Sequence, residues 1–265
     1  MDKAIHTAIN SIKADKIKQL NAVHEISNVS TTGFKRAFKL TTETSRVDVP
    51  GSFTTRYLVA PEMLGRVDLT PGPKLSTDSP LDVYLEGNGV LGVLNESGEI
   101  AFTRRGDLEV DSDGLLINGE GWTIAAEGGG SITLQPELIY NISKEGIIYA
   151  TNPEEEVAEE VEVATLLLRD ASATELEKME DGLFKVMGQA PGDFEGTGNQ
   201  VFVTSRALEG SSVRTFDILT QMIELERSYE EKIRTAKLAI RNKTTNKKGD
   251  LITEQVKKRL NRNHI

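Results

Sequence analysis

An α+β fold, with an all-β central domain and terminal α-helices packing as a coiled-coil-like helical domain, is predicted by two changes of apolar period and by the turns between them. Near the N-terminus apolar residues recur in steps of four and three. From about residue 77 the period falls to two, and beyond residue 206 the helical period returns. Turn signals such as Glu96-Ser97-Gly98, Asp111-Ser112-Asp113-Gly114 and Asn118-Gly119 cut the middle into short runs.

Residues 1–33 hold the first helix of a discontinuous helical domain, reaching from about Lys3 to Asn28. Its stripe is Ile5, Ile9, Ile12, Lys16, Gln19, Val23 and Ile26, widened by Ala8 and Leu20. Residues 34–76 have scattered apolar positions and several prolines, which predicts an extended connector with some strand content. Residues 77–205 form the β-rich domain, with LDVYL, IAFTR, DLEVD, ITL, IIYAT, VEVATLLL and QVFVTS as its strands. Residues 206–241 carry the second helix, with Ile218, Met222, Leu225, Tyr229, Ile233, Ala236 and Ile240 on one face and Leu219 and Ile223 beside it. Residues 242–265 are a basic extension, where Leu251, Ile252, Val256 and Leu260 predict a second short amphipathic helix. Neither terminal stripe stays in water without cost. Ile5, Ile9, Ile12, Val23, Ile26, Ile218, Met222, Ile223, Leu225, Tyr229 and Ile233 are therefore the expected assembly interface, between the two helices or between copies.

A formal charge of −10 argues against general binding to DNA or to an anionic membrane, both of which require a basic surface. The charge is uneven, with an acidic run from Glu154 to Glu162 and a basic one from Arg234 to Arg262. The absence of cysteine excludes disulfides, thiolate metal sites and a thiol nucleophile. The N-terminus lacks the continuous apolar core of a signal peptide, and no segment approaches membrane-span length.

The stretch Gly87-Asn88-Gly89-Val90-Leu91-Gly92 spells G-x-G-x-x-G after the strand LDVYL. A dinucleotide site also needs a helix opening on those glycines, to present free N–H groups and a dipole to the pyrophosphate. Here VLNESGEIAFTRR follows, with a turn at Ser97-Gly98 and renewed alternation at Ile100 and Phe102. A tight β turn is the better reading, with Gly87, Asn88 and Gly89 suited to positive φ. A nucleotide- or phosphate-binding enzyme using Gly87–Gly92 is the alternative from another class. Asp111-Ser112-Asp113-Gly114 lacks the glycine spacing and closing glutamate of a calcium loop. His24-Glu25 is followed by Asn28 where a zinc-protease helix needs its second histidine. No catalytic, cofactor-binding or metal-binding residues are expected.

Several blocks together resemble the axial proteins of the bacterial flagellum, within them the proximal rod proteins of the F type. The start MDKAIHTAINSIKADKIKQLNAVHEISNVSTTGFKR is similar to the family's N-terminal signature, matching at Asn28, Thr31, Gly33, Phe34 and Lys35, with Thr32 in place of the usual proline. Leu69-Thr70-Pro71-Gly72, Leu75 to Val83 and Gly87-Asn88-Gly89 resemble its next segment. Phe102-Thr103-Arg104-Arg105-Gly106 and Asp111 to Leu116 follow in order. Leu208-Glu209-Gly210-Ser211-Ser212-Val213 is similar to the block before the family's C-terminal helix. The resemblance implies turn roles for Asn28, Gly33, Phe34, Gly87, Asn88, Gly89 and Gly210. It implies a structural subunit that is not an enzyme, exported without a cleaved signal through the flagellar type III apparatus. Such a subunit polymerises through its terminal helices with itself and neighbouring axial proteins, in the periplasmic part of the basal body, and transmits motor torque. A distal rod or hook-type subunit is the nearest alternative. The family usually ends soon after this helix, whereas this chain continues from Asn242 to Ile265.

Overall fold

The computed structural model describes residues 2–47, 56–154 and 159–262, with side chains for 10–37, 65–154, 159–235, 237–238 and 241. Helix α1 spans Asp2–Ser27 and contains neither glycine nor proline, so its helical period runs unbroken. Asn28 ends it: the side-chain amide donates to the His24 carbonyl at 2.9 Å, satisfying one acceptor that the last turn leaves free.

The strands follow in order: β1 Ala37–Val47, β2 Arg56–Val67, β3 Lys74–Ser76, β4 Val83–Leu85, β5 Gly89–Leu94, β6 Ile100–Thr103, β7 Leu108–Val110, β8 Leu116–Asn118 and β9 Thr123–Ile124. Then come β10 Ile139–Ile142, β11 Ile147–Thr151, β12 Glu160–Thr165, β13 Leu168–Asp170, β14 Leu176–Lys178, β15 Phe184–Val186, β16 Val203–Ser205 and β17 Ala207–Glu209. Helix α2, Thr215–Arg262, closes the order.

The segment read as an extended connector with some strand content contains β1 and β2, strands of 11 and 12 residues. Three other expectations change. The basic extension is no separate helix: α2 is one helix of 48 residues as far as Arg262. The run ITL makes only an isolated bridge, Leu115 to Thr133. VEVATLLL divides into β12 and β13, because the chain passes from pairing with β11 to pairing with β5 across Leu166 and Leu167.

The chain forms two units. Unit one comprises Met1–Val23, Leu40–Glu62 and Phe216–Ile265, and unit two comprises His24–Lys39 and Met63–Thr215. In unit two, β5 is the organising strand, bonded to β6, β9 and β13 and buried over nearly its whole length. Burial on both faces explains its near-continuous apolar reading, GVLGVL. Leu91 and Val93 enter one core cluster with Leu85, Leu116, Ile148 and Leu166. Val90 enters a second with Phe102, Leu167, Leu176 and Phe184. The sheet continues β14-β15-β6-β5-β9-β8-β7, and Arg66 of β2 pairs with Glu177 of β14. Three small sheets complete the unit: β10-β11-β12, β16-β4 and β17-β3.

The hairpins repeat one device. Asn95, Asp111 and Asn118 each accept two backbone N–H bonds with the side-chain oxygen, and each is followed three residues later by a glycine at positive φ. Asn118-Gly119 therefore turns at Gly121 (φ 90°) and not at Gly119.

The second core gives a direct test. Phe102 is fully buried, pairs with Phe184 across the sheet and meets the Phe194 ring edge-on at 4.8 Å. Phe102→Ala is expected to destabilise unit two by about 3–5 kcal/mol, and Phe102→Leu by clearly less. The urea midpoint of unfolding measures both.

Candidate functional site

One fully buried charge cluster gathers the blocks singled out in the sequence. Lys35, two residues beyond the Gly33 turn, places its ammonium 2.7 Å from Glu209 Oε1, with both side chains sealed from solvent. It also donates to the carbonyls of Thr70 at 2.7 Å and Leu69 at 3.3 Å. Arg104, at the end of β6, donates from Nε to Glu209 Oε2 at 2.7 Å. Its Nη1 reaches the carbonyls of Gly87 (3.0 Å) and Gly89 (2.5 Å), and its Nη2 that of Leu85 (2.9 Å). Glu209 Oε1 further accepts the Gly72 N–H at 2.6 Å. Two cations face one anion, and five carbonyl dipoles hold the excess positive charge. Burial, then the nearby Arg104, hold the Lys35 ammonium below the usual lysine value, against the pull of Glu209.

Backbone contacts tie the same spot. The Gly33 N–H donates to the Glu209 carbonyl at 2.7 Å, and the Gly210 N–H to that of Pro73 at 2.8 Å. Gly33 sits at φ 64° against the Arg104 backbone, where a Cβ has no room. Of the supposed phosphate glycines, only Gly87 has positive φ; Asn88 and Gly89 do not, which corrects that expectation. Gly89 opens β5, and a side chain there would collide with Val201. The turn's carbonyls face Arg104, so it presents acceptors inward to a guanidinium, the reverse of a phosphate cradle.

Phe34 is buried beside the cluster, with the Lys178 ammonium 4.3 Å above its ring and the His24 ring 5.6 Å away. Burial, then Lys178, lower the His24 pKa, while Glu25 opposes them. Glu25 is buried and pairs with Arg36 at 3.1 Å. Asn28 accepts the Thr31 hydroxyl at 3.2 Å, and Gly210 abuts Pro73, so the turn residues expected at 28, 33, 34, 87 and 210 lie in unit two around these contacts.

In unit one the helices meet at Asp15, whose Oδ2 accepts from Ser228 at 3.0 Å and pairs with Lys232 at 2.6 Å. Along α1, Asp15 and Ala22 are buried and Ile12, Gln19 and Ile26 half-buried, whereas Lys16 and Val23 of the expected stripe are exposed, Val23 by 47%. The buried line thus runs one residue before the expected one at those two positions. Along α2, Ile218 is buried, and Met222, Leu225, Tyr229 and Ile233 are half-buried. Leu219 and Ile223 are exposed, Ile223 by 53%. The side chains of Ile5, Ile9, Ala236 and Ile240 lie outside the described residues. Among the described residues no group of acids and histidines forms a metal site, and no helix is long and apolar enough to cross a membrane.

Arg104, Glu209, Lys35 and Asp15 are not among the expected functional residues; the first three appear in the sequence reading only within motif blocks. Their signal was indirect: charges embedded between glycines and apolar residues, in Thr32-Gly33-Phe34-Lys35 and Leu208-Glu209-Gly210.

Comparison with known proteins adds the following. Residues 84–150 match the family model of the flagellar hook protein FlgE/F/G D1 domain. The chain is 32% identical over 234 residues to the flagellar basal-body rod protein FlgF of Salmonella typhimurium, covering 87% of this chain and 91% of that one. It is 31% identical over 240 residues to FlgF of Escherichia coli, with the same coverage. Against the rod protein FlgG of Caulobacter vibrioides identity is 25% over 249 residues, or 86% of this chain and 92% of that one.

Two measurements probe the cluster and its neighbour. Glu209→Gln leaves two buried cations without their anion and is expected to cost about 3–5 kcal/mol, read as a loss of unit-two stability in urea. The His24 pKa lies below its ordinary 6.5, so the folded state binds that proton less readily than the unfolded one. Its destabilising effect is absent well above pH 6.5 and grows as pH falls below it. Unit-two stability should decline from about pH 7.5 to about pH 5.5, and His24→Gln should flatten part of that decline. An unchanged slope in the variant would assign the dependence to other groups.

Proposed function

This chain belongs to the flagellar basal-body rod proteins of the FlgF type, and on that premise we propose that it is built into the proximal rod through the faces of its two terminal helices. It is a structural rod subunit and not an enzyme. Rigid attachment of each copy to the next is its mechanism, and motor torque is what passes through those contacts. Head-to-tail contacts that do not close produce a helical polymer, which requires two different complementary surfaces on one chain. Its partners are other axial subunits, and it reaches the periplasm through the flagellar export apparatus.

The observation that carries this reading is the exposed apolar flank of unit one. We read α1 and α2 as an antiparallel, coiled-coil-like pair, with Asp15, Ala22, Ile218, Met222 and Leu225 in the seam. Leu20 and Val23 each follow a seam position on α1, as Leu219 and Ile223 do on α2. In an antiparallel pair such positions fall on the same side. Four exposed apolar residues then form one patch across both helices. Covering it contributes on the order of 1 kcal/mol per side chain, and repetition along a polymer multiplies the effect.

Ile223→Asp and Ile12→Asp place a carboxylate in these faces. Each variant is expected to be lost from purified basal bodies, by at least about tenfold, and to abolish swimming, while unit two melts as before. Normal incorporation of both would place the interface elsewhere. Electron microscopy of basal bodies carrying a tagged chain separates the proximal rod from the distal rod and hook.

A further inference from the structure

The β10-β11-β12 sheet presents a surface that assembly through the helical faces does not use. Among the described residues β12 pairs within its sheet only with β11; on its other side the Thr165 carbonyl accepts the Glu127 N–H at 2.9 Å, and the edge is open over Glu160–Val163. Val161 on that strand is 60% exposed and Val163 42%. Val161 stands in register with Ala150 and, across β11, with Tyr140, both of which are buried. It therefore shares the core-facing side of the sheet but lies beyond the core. Val163 is the extra residue of a bulge, since Ile148 pairs with Ala164 and Tyr149 with Glu162. A bulge and the exposed Glu160 and Glu162 both oppose the addition of another strand, and a second copy of β12 would bring carboxylates against carboxylates.

An edge that resists strands can still be covered by a helix. The sequence contains one of suitable charge. Residues 154–162 hold six glutamates and no base, whereas residues 237–262 hold nine Lys and Arg against two acids. The latter stretch is the end of α2. Ile252, Val256 and Leu260 recur there every four residues, which places them on one helical face. At 1.5 Å per residue those 26 positions extend about 39 Å, against about 20 Å for the six residues of β12.

We propose that the basic end of α2 from one copy lies along the β12 edge of a second copy, bringing its excess of Lys and Arg to the edge that carries Val161, Val163, Glu160 and Glu162. The contact deepens the rod reading and rests on it. The extension thereby becomes an electrostatically steered grip between neighbours, set apart from the helix-to-helix seam.

The chain has no cysteine, so single introduced cysteines report one contact. Val163→Cys and Val256→Cys chains, produced together and oxidised in isolated basal bodies, should give a disulfide-linked dimer that neither gives alone. Rods containing both variants without that dimer would overturn the contact. So would a chain carrying both substitutions that closes the disulfide within itself. In parallel, Glu160→Lys with Glu162→Lys should lower incorporation on the order of tenfold, and Lys257→Glu with Lys258→Glu in the partner copies should restore it. Failure of that restoration also counts against the contact. Absence of the unsubstituted chain from the rod would instead overturn the rod assignment, and this contact with it.

Discussion

Glu209 is the residue on which the geometry of the β unit depends. Its carboxylate joins Lys35 from the start of the unit, Gly72 from the approach to β3, and Arg104 from the end of β6. Arg104 in turn gathers the carbonyls of the Gly87–Gly89 turn. Without the anion, two cations would stand desolvated in the interior, a far worse state than any single lost hydrogen bond. The cluster also joins the first and the last segments of the unit. The Gly33 N–H bonds the Glu209 carbonyl, and α1 ends at Ser27 and α2 starts at Thr215, each six residues from that bond (33 − 27 and 215 − 209). The first entry and the last exit of the unit are therefore pinned to one another by the same contact.

The helices were legible because an apolar stripe at helical spacing needs no tertiary information. Placing the buried line one residue off at Lys16 and Val23 came from extending the isoleucine spacing without a polar partner in view: Asp15 takes the seam instead because Ser228 and Lys232 satisfy it. The short strands showed through alternation and through the Asn/Asp-x-x-Gly hairpins. The central strand β5 did not, because burial on both faces erases alternation, and its glycines spelled a nucleotide motif. Strands β1 and β2 were obscured for the opposite reason. The stretch KLTTETSRV has threonines suited to a strand but few apolar residues to carry a period.

The charge cluster was the least legible feature. A lysine, an arginine and a glutamate far apart in sequence read as solvated residues by any periodicity count, and only the fold brings 35, 104 and 209 together. The resemblance to the flagellar axial proteins did mark these blocks, but as turn signatures. The structure supplies the physical reason why the turns occur together: a glycine at 33, a glycine turn at 87 and the Leu208-Glu209-Gly210 strand end all close on the same ions.

The buried ion cluster and the apolar helix faces respond differently to displacement, and the difference suits a polymer. A buried ion cluster gains little net energy over an apolar replacement, but it tolerates almost no displacement, because each donor and acceptor has a fixed partner. Apolar helix faces behave in the opposite way: they associate without strong direction and accept small shifts of register. Placing the directional cluster in the β unit lets that unit fold to one geometry on its own chain. Apolar residues such as Val23 and Ile223 stay exposed on the helices, and the proposed assembly would use that adaptable surface. In the proposed polymer, copies placed around a helical axis would take up small differences of register in the apolar helix faces, which accept them, and not in the ion cluster, which does not.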